Sequence, residues 1–390
     1  MHFVTVAAPL RTALTRHSVR HHHSLLIAMN LTRCNVAPTL LCAIVSVALT
    51  IDTVTAQAPT ALPAYSILRS DEVRSLRAQV IETVVLGGSK TRRPSVVSDV
   101  ALVGGHIFVL DGMQRHLLVY DSTGRFLREA AKYGDHDGGI ESPIRLATHG
   151  DTVLLLDVTH RNAVSAFDAQ GRFLGARYPD LSEASASSMA IGTATVAFAH
   201  MDADDRPSRS VVSIRDRRGR ELATGCPSAP TYAQSLKRGG LLARFTARLV
   251  DMRGNRVYCA QAVTPVVTIL DLQGRTVGHI TVAPPFFAPP ADIAETRNQK
   301  ALLDYQSRWT ALHGFRGTPT GFASTWSRYD AGAGRFVYRF FACDGDVTPG
   351  NCRTSEIPGE PVRIIASDRL LSVTSATDGS PSLATIRVGP

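Results

Sequence analysis

The chain is 390 residues long, with 42 Lys and Arg against 33 Asp and Glu, a formal net charge of +9, and 44% hydrophobic but only 6% aromatic residues. The basic character rests on arginine, 38 residues against 4 lysines, and no dense basic run interleaves with aromatics. This pattern reflects genome composition and argues against nucleic acid as a partner.

Residues 1–28, with the run His21-His22-His23, precede Met29 and read as an over-extended start; a short His tract is compositional and assigns no metal. Arg33, the apolar run Val36 to Ile51 and "VTAQAP" then read as a secretory signal, with small residues at Val54 and Ala56 or at Ala56 and Ala58 for cleavage. The sixteen-residue run contains Pro38 and falls short of the ~20 residues of a spanning helix. The expected organisation is a leader over 1–56 (signal 29–56), a linker over 57–77 and one domain over 78–390. Losing four Arg and one Asp with the leader takes the charge from +9 to +6. The product is periplasmic or secreted, with no stable membrane span after cleavage.

"AQVIETVVLGG", Ala78 to Gly88, reads as a strand that belongs to no following unit. Beyond it the chain repeats itself. "SDVALVG", "HIFVLD" and "LLVYDSTGRFL" are followed by "PIRLATHG", "TVLLLD" and "AVSAFDAQGRFL". Each phrase is an alternating strand or a strand, turn and strand. Aligned on the turn aspartate, Asp121, Asp168, Asp216 and Asp271 recur at intervals of 47, 48 and 55 residues. Asp caps the turn, and Gly124, Gly171, Gly219 or Gly274 takes the positive φ. A period of roughly 40 to 50 residues marks a propeller, because one four-stranded sheet buries its faces only against copies of itself.

Strand quartets place blades at Ser95 to Ala131, Pro143 to Arg177, Ser185 to Thr224, Ala243 to Val282 and Pro319 to Pro358. Pro361 to Val388 holds only three strands, which Ala78 to Gly88 completes. The expectation is an all-β, six-bladed β-propeller closed by its N-terminal strand, with no sheet edge left open. Links leave a blade on the face opposite its third-to-fourth-strand hairpin. Two long links, 225–242 and 283–316, therefore decorate one face, the expected binding side. The second contains an expected helix capped by Asp292 and Glu295 and stopped at Gly314, with Leu302, Tyr305, Trp309 and Leu312 as one stripe. That stripe either packs on the rim of blades four and five or forms a lid with Trp309 over the channel mouth.

The stretch "YGDHDGGIESPIRLATHGDTVLLLDVTHRNAVSAFDAQGRFL" resembles an NHL repeat, and the resemblance covers the first two blades. It implies a six-bladed propeller of a kind that usually binds proteins, peptides, glycans or RNA; a minority of related folds are metal-dependent lactonases or lyases. WD40 repeats are disfavoured by two Trp and no Trp-Asp at strand ends.

The innermost strand of each blade lines the channel. Aligned on "PIRLA", its leading positions are Asp99, Arg145, Ser188, Arg248, Gly321 and Arg363. Arg145, Arg248 and Arg363 either clamp a carboxylate, phosphate or sulfate with forked donors, or are neutralised by Asp99 and neighbours such as Asp135 or Asp137. Four cysteines follow the leader. Cys343 and Cys352 bracket a turn-rich loop and pair as a disulfide, leaving Cys226 with Cys259 by elimination. No motif assigns a catalytic residue, metal or cofactor. The functional expectation is an exported, non-catalytic propeller that binds a protein or a small anionic ligand at the decorated mouth through Asp99, Arg145, Ser188, Arg248, Trp309 and Arg363. The alternative is a metal-dependent hydrolase or lyase, which would want Glu, Asp and Asn where the arginines stand.

Overall fold

A computed structural model describes residues 67–88, 93–134, 136–158, 164–177, 186–200, 210–229, 248–290, 299–345, 347–376 and 378–389. After two N-terminal strands, β1 (Arg74–Ser75) and β2 (Ala78–Val85), come six antiparallel blades. Blade one is β3 (Val97–Val103), β4 (His106–Asp111), β5 (His116–Asp121) and β6 (Phe126–Ala131); blade two is β7 (Pro143–His149), β8 (Thr152–Asp157), β9 (Val164–Asp168) and β10 (Phe173–Arg177). Blade three is β11 (Ala186–Ile191), β12 (Thr195–His200), β13 (Ser210–Asp216) and β14 (Glu221–Pro227); blade four is β15 (Arg248–Arg253), β16 (Arg256–Gln261), β17 (Val266–Leu270) and β18 (Thr276–Thr281). Helix α1 (Gln299–Gln306) leads to blade five, which is β19 (Ala311–Gly317), β20 (Gly321–Asp330), β21 (Arg335–Asp344) and β22 (Cys352–Ile357). Blade six is β23 (Glu360–Ala366), β24 (Arg369–Ser375) and β25 (Pro381–Val388), with β2 hydrogen-bonded along β25 from Ala78↔Val388 to Val85↔Ser382.

The repeated turn works as a small hydrogen-bond machine. In blade one, Asp121 Oδ1 accepts from the amides of Thr123 and Arg125 and from the Thr123 hydroxyl, while Gly124, at φ 85°, donates its amide to the Asp121 carbonyl. The Thr123 hydroxyl first, then these amides and the Arg125 side chain, hold the Asp121 carboxyl down at about 2. The same contacts between aspartate, glycine and arginine recur at Asp168, Asp216 and Asp271. Asp111 and Asp157, buried at the ends of β4 and β8, accept from the backbone entering their own blades at Ser95 and at Glu141 and Ser142.

Each pair of neighbouring blades shares one apolar cluster, so the core is a ring of six interfaces. Phe108 and Phe167 lie between blades one and two, Trp326 and Phe341 between four and five, and Val100 and Leu383 between six and one. Both disulfides are formed. Cys343–Cys352 joins neighbouring strands within blade five, and Cys226–Cys259 ties β14 of blade three to β16 of blade four.

Three boundaries differ from expectation. Part of the expected linker is structure: Leu68 and Val73 are buried in the cluster of blades four and five, and β1 adds a parallel fifth strand beside β22. The innermost strand of blade five is β19, not a strand beginning at Pro319, so Gly321 opens the second strand and Gly314 lies within the first. Helix α1 is correspondingly shorter and ends before Trp309; Asp292 and Glu295 lie outside the described residues. The physical cause is that "ALHGFRG" lacks the two-residue apolar alternation of a typical strand and earns its place through its neighbours.

Candidate functional site

Within the ring the six innermost strands present edges that no backbone ladder covers, so side chains bridge them. Asp99 Oδ2 accepts from the Leu146 amide of blade two at 2.8 Å, Ser188 Oγ from the Val250 amide of blade four at 3.3 Å, and Asp251 Oδ2 from the Gly317 amide of blade five at 2.9 Å. Arg316 Nη1 donates to the Ile364 carbonyl of blade six at 2.7 Å. Arg363 Nη2 donates to Asp99 Oδ1 at 3.1 Å and to the Leu146 carbonyl at 2.8 Å.

These strands enclose a central cavity of about 730 Å³. Four guanidiniums line it, Arg145, Arg253, Arg316 and Arg363, with three carboxylates, Asp99, Asp251 and Glu360, and the His313 ring. Three of the cations are committed: Arg363 pairs with Asp99, Arg253 lies 3.8 Å from Asp251, and Arg316 holds Ile364. Arg145 makes no ion pair or hydrogen bond among the described residues. Burial first, and the Arg145 guanidinium second, hold the His313 ring down at about 4, against a backbone hydrogen bond at Pro361. His313 is therefore neutral near pH 7, and the cavity carries one cation in excess.

The other groups feel the same confinement. Burial pushes the Glu360 carboxyl up while Arg145 pulls it back. Burial also raises Asp251, opposed by the Gly317 amide and by Arg253 and Arg316. Arg316 is lowered by burial and by its like-charged neighbours Arg253 and Arg363, with Asp251 opposing.

The expected residues do not all converge. Asp99, Arg145, Ser188 and Arg363 line the cavity. Arg248 does not: it is 2% exposed and donates Nη1 to the His200 carbonyl and Nη2 to Ser228 Oγ, within the junction of blades three and four. The reason is register. Inner strands of blades one, two and three carry a bulge after their first paired residue and those of blades five and six after their second, and the described part of β15 carries none. Arg248, opposite Gln261, thus corresponds to Pro143, opposite Asp157, rather than to Arg145, and a one-residue shift turns a side chain to the other face. Trp309 is likewise not a channel residue; its ring is buried beside Tyr305, with centroids 6.0 Å apart. Asp135 lies outside the described residues, Asp137 is exposed, and the neutralising partner of Arg363 is Asp99.

Blade five adds a feature at the entrance. Strands β20 and β21 have ten residues each; β19 accompanies β20 only to Ser327, and β22 accompanies β21 only to Tyr338. The pairs Arg328↔Val337, Tyr329↔Phe336 and Asp330↔Arg335 therefore stand clear of both flanking strands, at the end of the blade where inner strands begin. Tyr329 and Phe336 form a cross-strand pair on this overhang and Tyr338 lies at its base on the same side, with successive centroids 5.4 and 6.4 Å apart. Tyr338 in turn meets the His313 ring at 5.6 Å.

No protein-family model matches the sequence, and no curated protein sequence does. Among solved structures, a presumed exported protein of Bacteroides fragilis superposes with a TM-score of 0.57 at 12% identity, over 84% of this chain and 98% of that one. A member of the DUF4221 family from Bacteroides vulgatus gives 0.54 at 7% identity, over 81% and 99%. At such identities the likeness is one of fold. The chain is a six-bladed β-propeller. The NHL resemblance of blades one and two has no matching family model behind it.

Sequence reasoning passed over Arg253, Arg316, His313, Glu360 and the overhanging aromatics. A signal for the overhang was present in "FASTWSRYDAGAGRFVYRFFACD", whose two β-rich arms are longer than in any other blade. No comparable signal marked "HGFRG" as channel-lining, since its role depends on where blade four leaves the chain.

Proposed function

We propose that the protein is an exported binding propeller that takes a small anionic ligand at the mouth of its central channel. The observation that carries this reading is Arg145, a guanidinium lining a cavity of about 730 Å³ that makes no hydrogen bond or close ion pair among the described residues and feels only a longer-range attraction to Glu360. A partly desolvated cation favours a forked, charge-assisted contact with a carboxylate, phosphate or sulfate. Export is supported by the leader and by two formed disulfides, which persist in oxidising compartments. Among the described residues no helix is long and apolar enough to cross a membrane.

Calorimetry with acetate, phosphate, sulfate and citrate tests the proposal. At least one anion is expected to bind, and Arg145→Gln to weaken it by about 1.5–3 kcal/mol, the scale of a hydrogen bond to a charged group. Absence of binding by every anion, or equal binding by the variant, refutes it.

A further inference from the structure

The aromatic overhang of blade five and the Arg145 guanidinium of blade two belong to one continuous surface. Glu360 lines the central cavity together with Arg145 and His313. It also lines an adjoining cavity of about 600 Å³ with Phe336, Tyr338 and Arg335. From Arg145 the path therefore leads past His313 and Glu360 to Tyr338, then Phe336 and Tyr329, each ring within 6.4 Å of the next. Phe336 is 38% exposed, and β22 pairs with β21 only as far as Tyr338. The protruding aromatic pair Tyr329 and Phe336, with Tyr338 at its base, is an apolar surface suited to packing against a ligand.

We infer that the ligand is an amphipathic organic acid, whose carboxylate meets Arg145 and whose apolar, aryl-bearing body lies along Tyr338 and Phe336. This deepens the reading of an anion-binding mouth and rests on it. Charge complementarity sets the orientation. The inner end of the path offers a half-buried cation that makes no hydrogen bond or close ion pair among the described residues, whereas the outer end offers aromatic surface. Glu360 stands between them and disfavours a second negative charge midway, so a single terminal acid fits better than a polyanion. Arg335, at the hairpin tip, is exposed and paired across the strand with Asp330, so an acid there would remain solvated.

The test uses the secreted protein and three probe sets in calorimetry: ω-phenylalkanoates of increasing chain length, their primary amides, and short alkanoates without the ring. The expected result is an optimal phenylalkanoate binding at least about tenfold tighter than the ring-free acid of the same chain length, with its amide inactive. Phe336→Ala, on the exposed overhang, should remove most of that tenfold advantage and leave alkanoate binding unchanged; Arg145→Gln should abolish both. If alkanoates and phenylalkanoates bind equally, the amphipathic assignment fails while the anionic mouth stands. If no acid binds, both fail together. Tighter binding of an acidic oligosaccharide or an acidic peptide, insensitive to Phe336→Ala, would also overturn the assignment.

Discussion

Arg363 and Arg145 occupy corresponding inner-strand positions, yet the structure assigns them opposite physical roles, and substituting each with Gln separates those roles. Arg363→Gln removes the guanidinium from Asp99, whose side chain is only 3% exposed. Asp99 keeps the amides of Val100 and Leu146, both at 2.8 Å, so it is not wholly stranded. Breaking a fully buried pair costs about 3–5 kcal/mol, and losing one hydrogen bond to a charge about 1.5–3. Because the Arg363 side chain retains 25% exposure toward the channel, the lower range applies, about 2–3 kcal/mol. With an unfolding entropy of about 2.1 cal/mol/K per residue over roughly 300 residues, that is a fall in Tm of about 4 °C. Adding Asp99→Asn should recover part of it, since the uncompensated charge is then gone. Arg145→Gln breaks no hydrogen bond or close ion pair; it removes only a longer-range pull on Glu360, whose carboxyl burial already pushes toward the protonated form, and should leave Tm within about 1 °C of wild type. Scanning calorimetry of the three variants decides the matter. An Arg363→Gln protein that melts like wild type, or an Arg145→Gln protein that falls as far as Arg363→Gln, would refute the division of roles.

The two disulfides should differ in weight. Cys343–Cys352 closes a separation of 9 residues within one blade and Cys226–Cys259 one of 33 between two blades. Chain-entropy estimates are about 2.6 and about 3.7 kcal/mol. Denaturant melts of Cys343→Ser/Cys352→Ser and Cys226→Ser/Cys259→Ser should therefore show the larger loss for the second pair, and a reversed order would contradict the entropic account. Acid should act in two stages. His313 titrates at about 4 in the folded chain against an ordinary 6.5, so the unfolded chain takes up the proton first and stability falls from about pH 6.5 to about pH 4. Asp121, at about 2 against 3.8, contributes stability above 3.8 that is lost as pH falls toward 2. The raised carboxyls Glu360 and Asp251 act in the opposite sense above the ordinary carboxylate range, as protonation relieves their buried charge. The His313→Gln difference profile isolates the upper stage. An unchanged profile between pH 6.5 and 4 in that variant counts against a depressed histidine.

What the sequence by itself determined is what a few neighbouring residues can enforce. The turn at Asp121, Gly124 and Arg125 needs only its own side chain, its own positive φ and nearby amides, so its four copies were legible, and the blade period with them. The Cys343–Cys352 pair was legible for the same reason, lying across one hairpin. The tertiary structure alone decided which side chains face the channel. A side chain's direction in a strand reverses with a shift of one residue, and that shift depends on whether a bulge is present, which packing between blades selects. Thus Arg248, which matches Arg145 in the repeat of the sequence, turns into the junction of blades three and four, while "HGFRG" becomes an inner strand because Gly317 meets Asp251 of blade four and Arg316 meets Ile364 of blade six. The candidate site draws on residues from Asp99 to Arg363, and only the closed ring brings them within reach of one another.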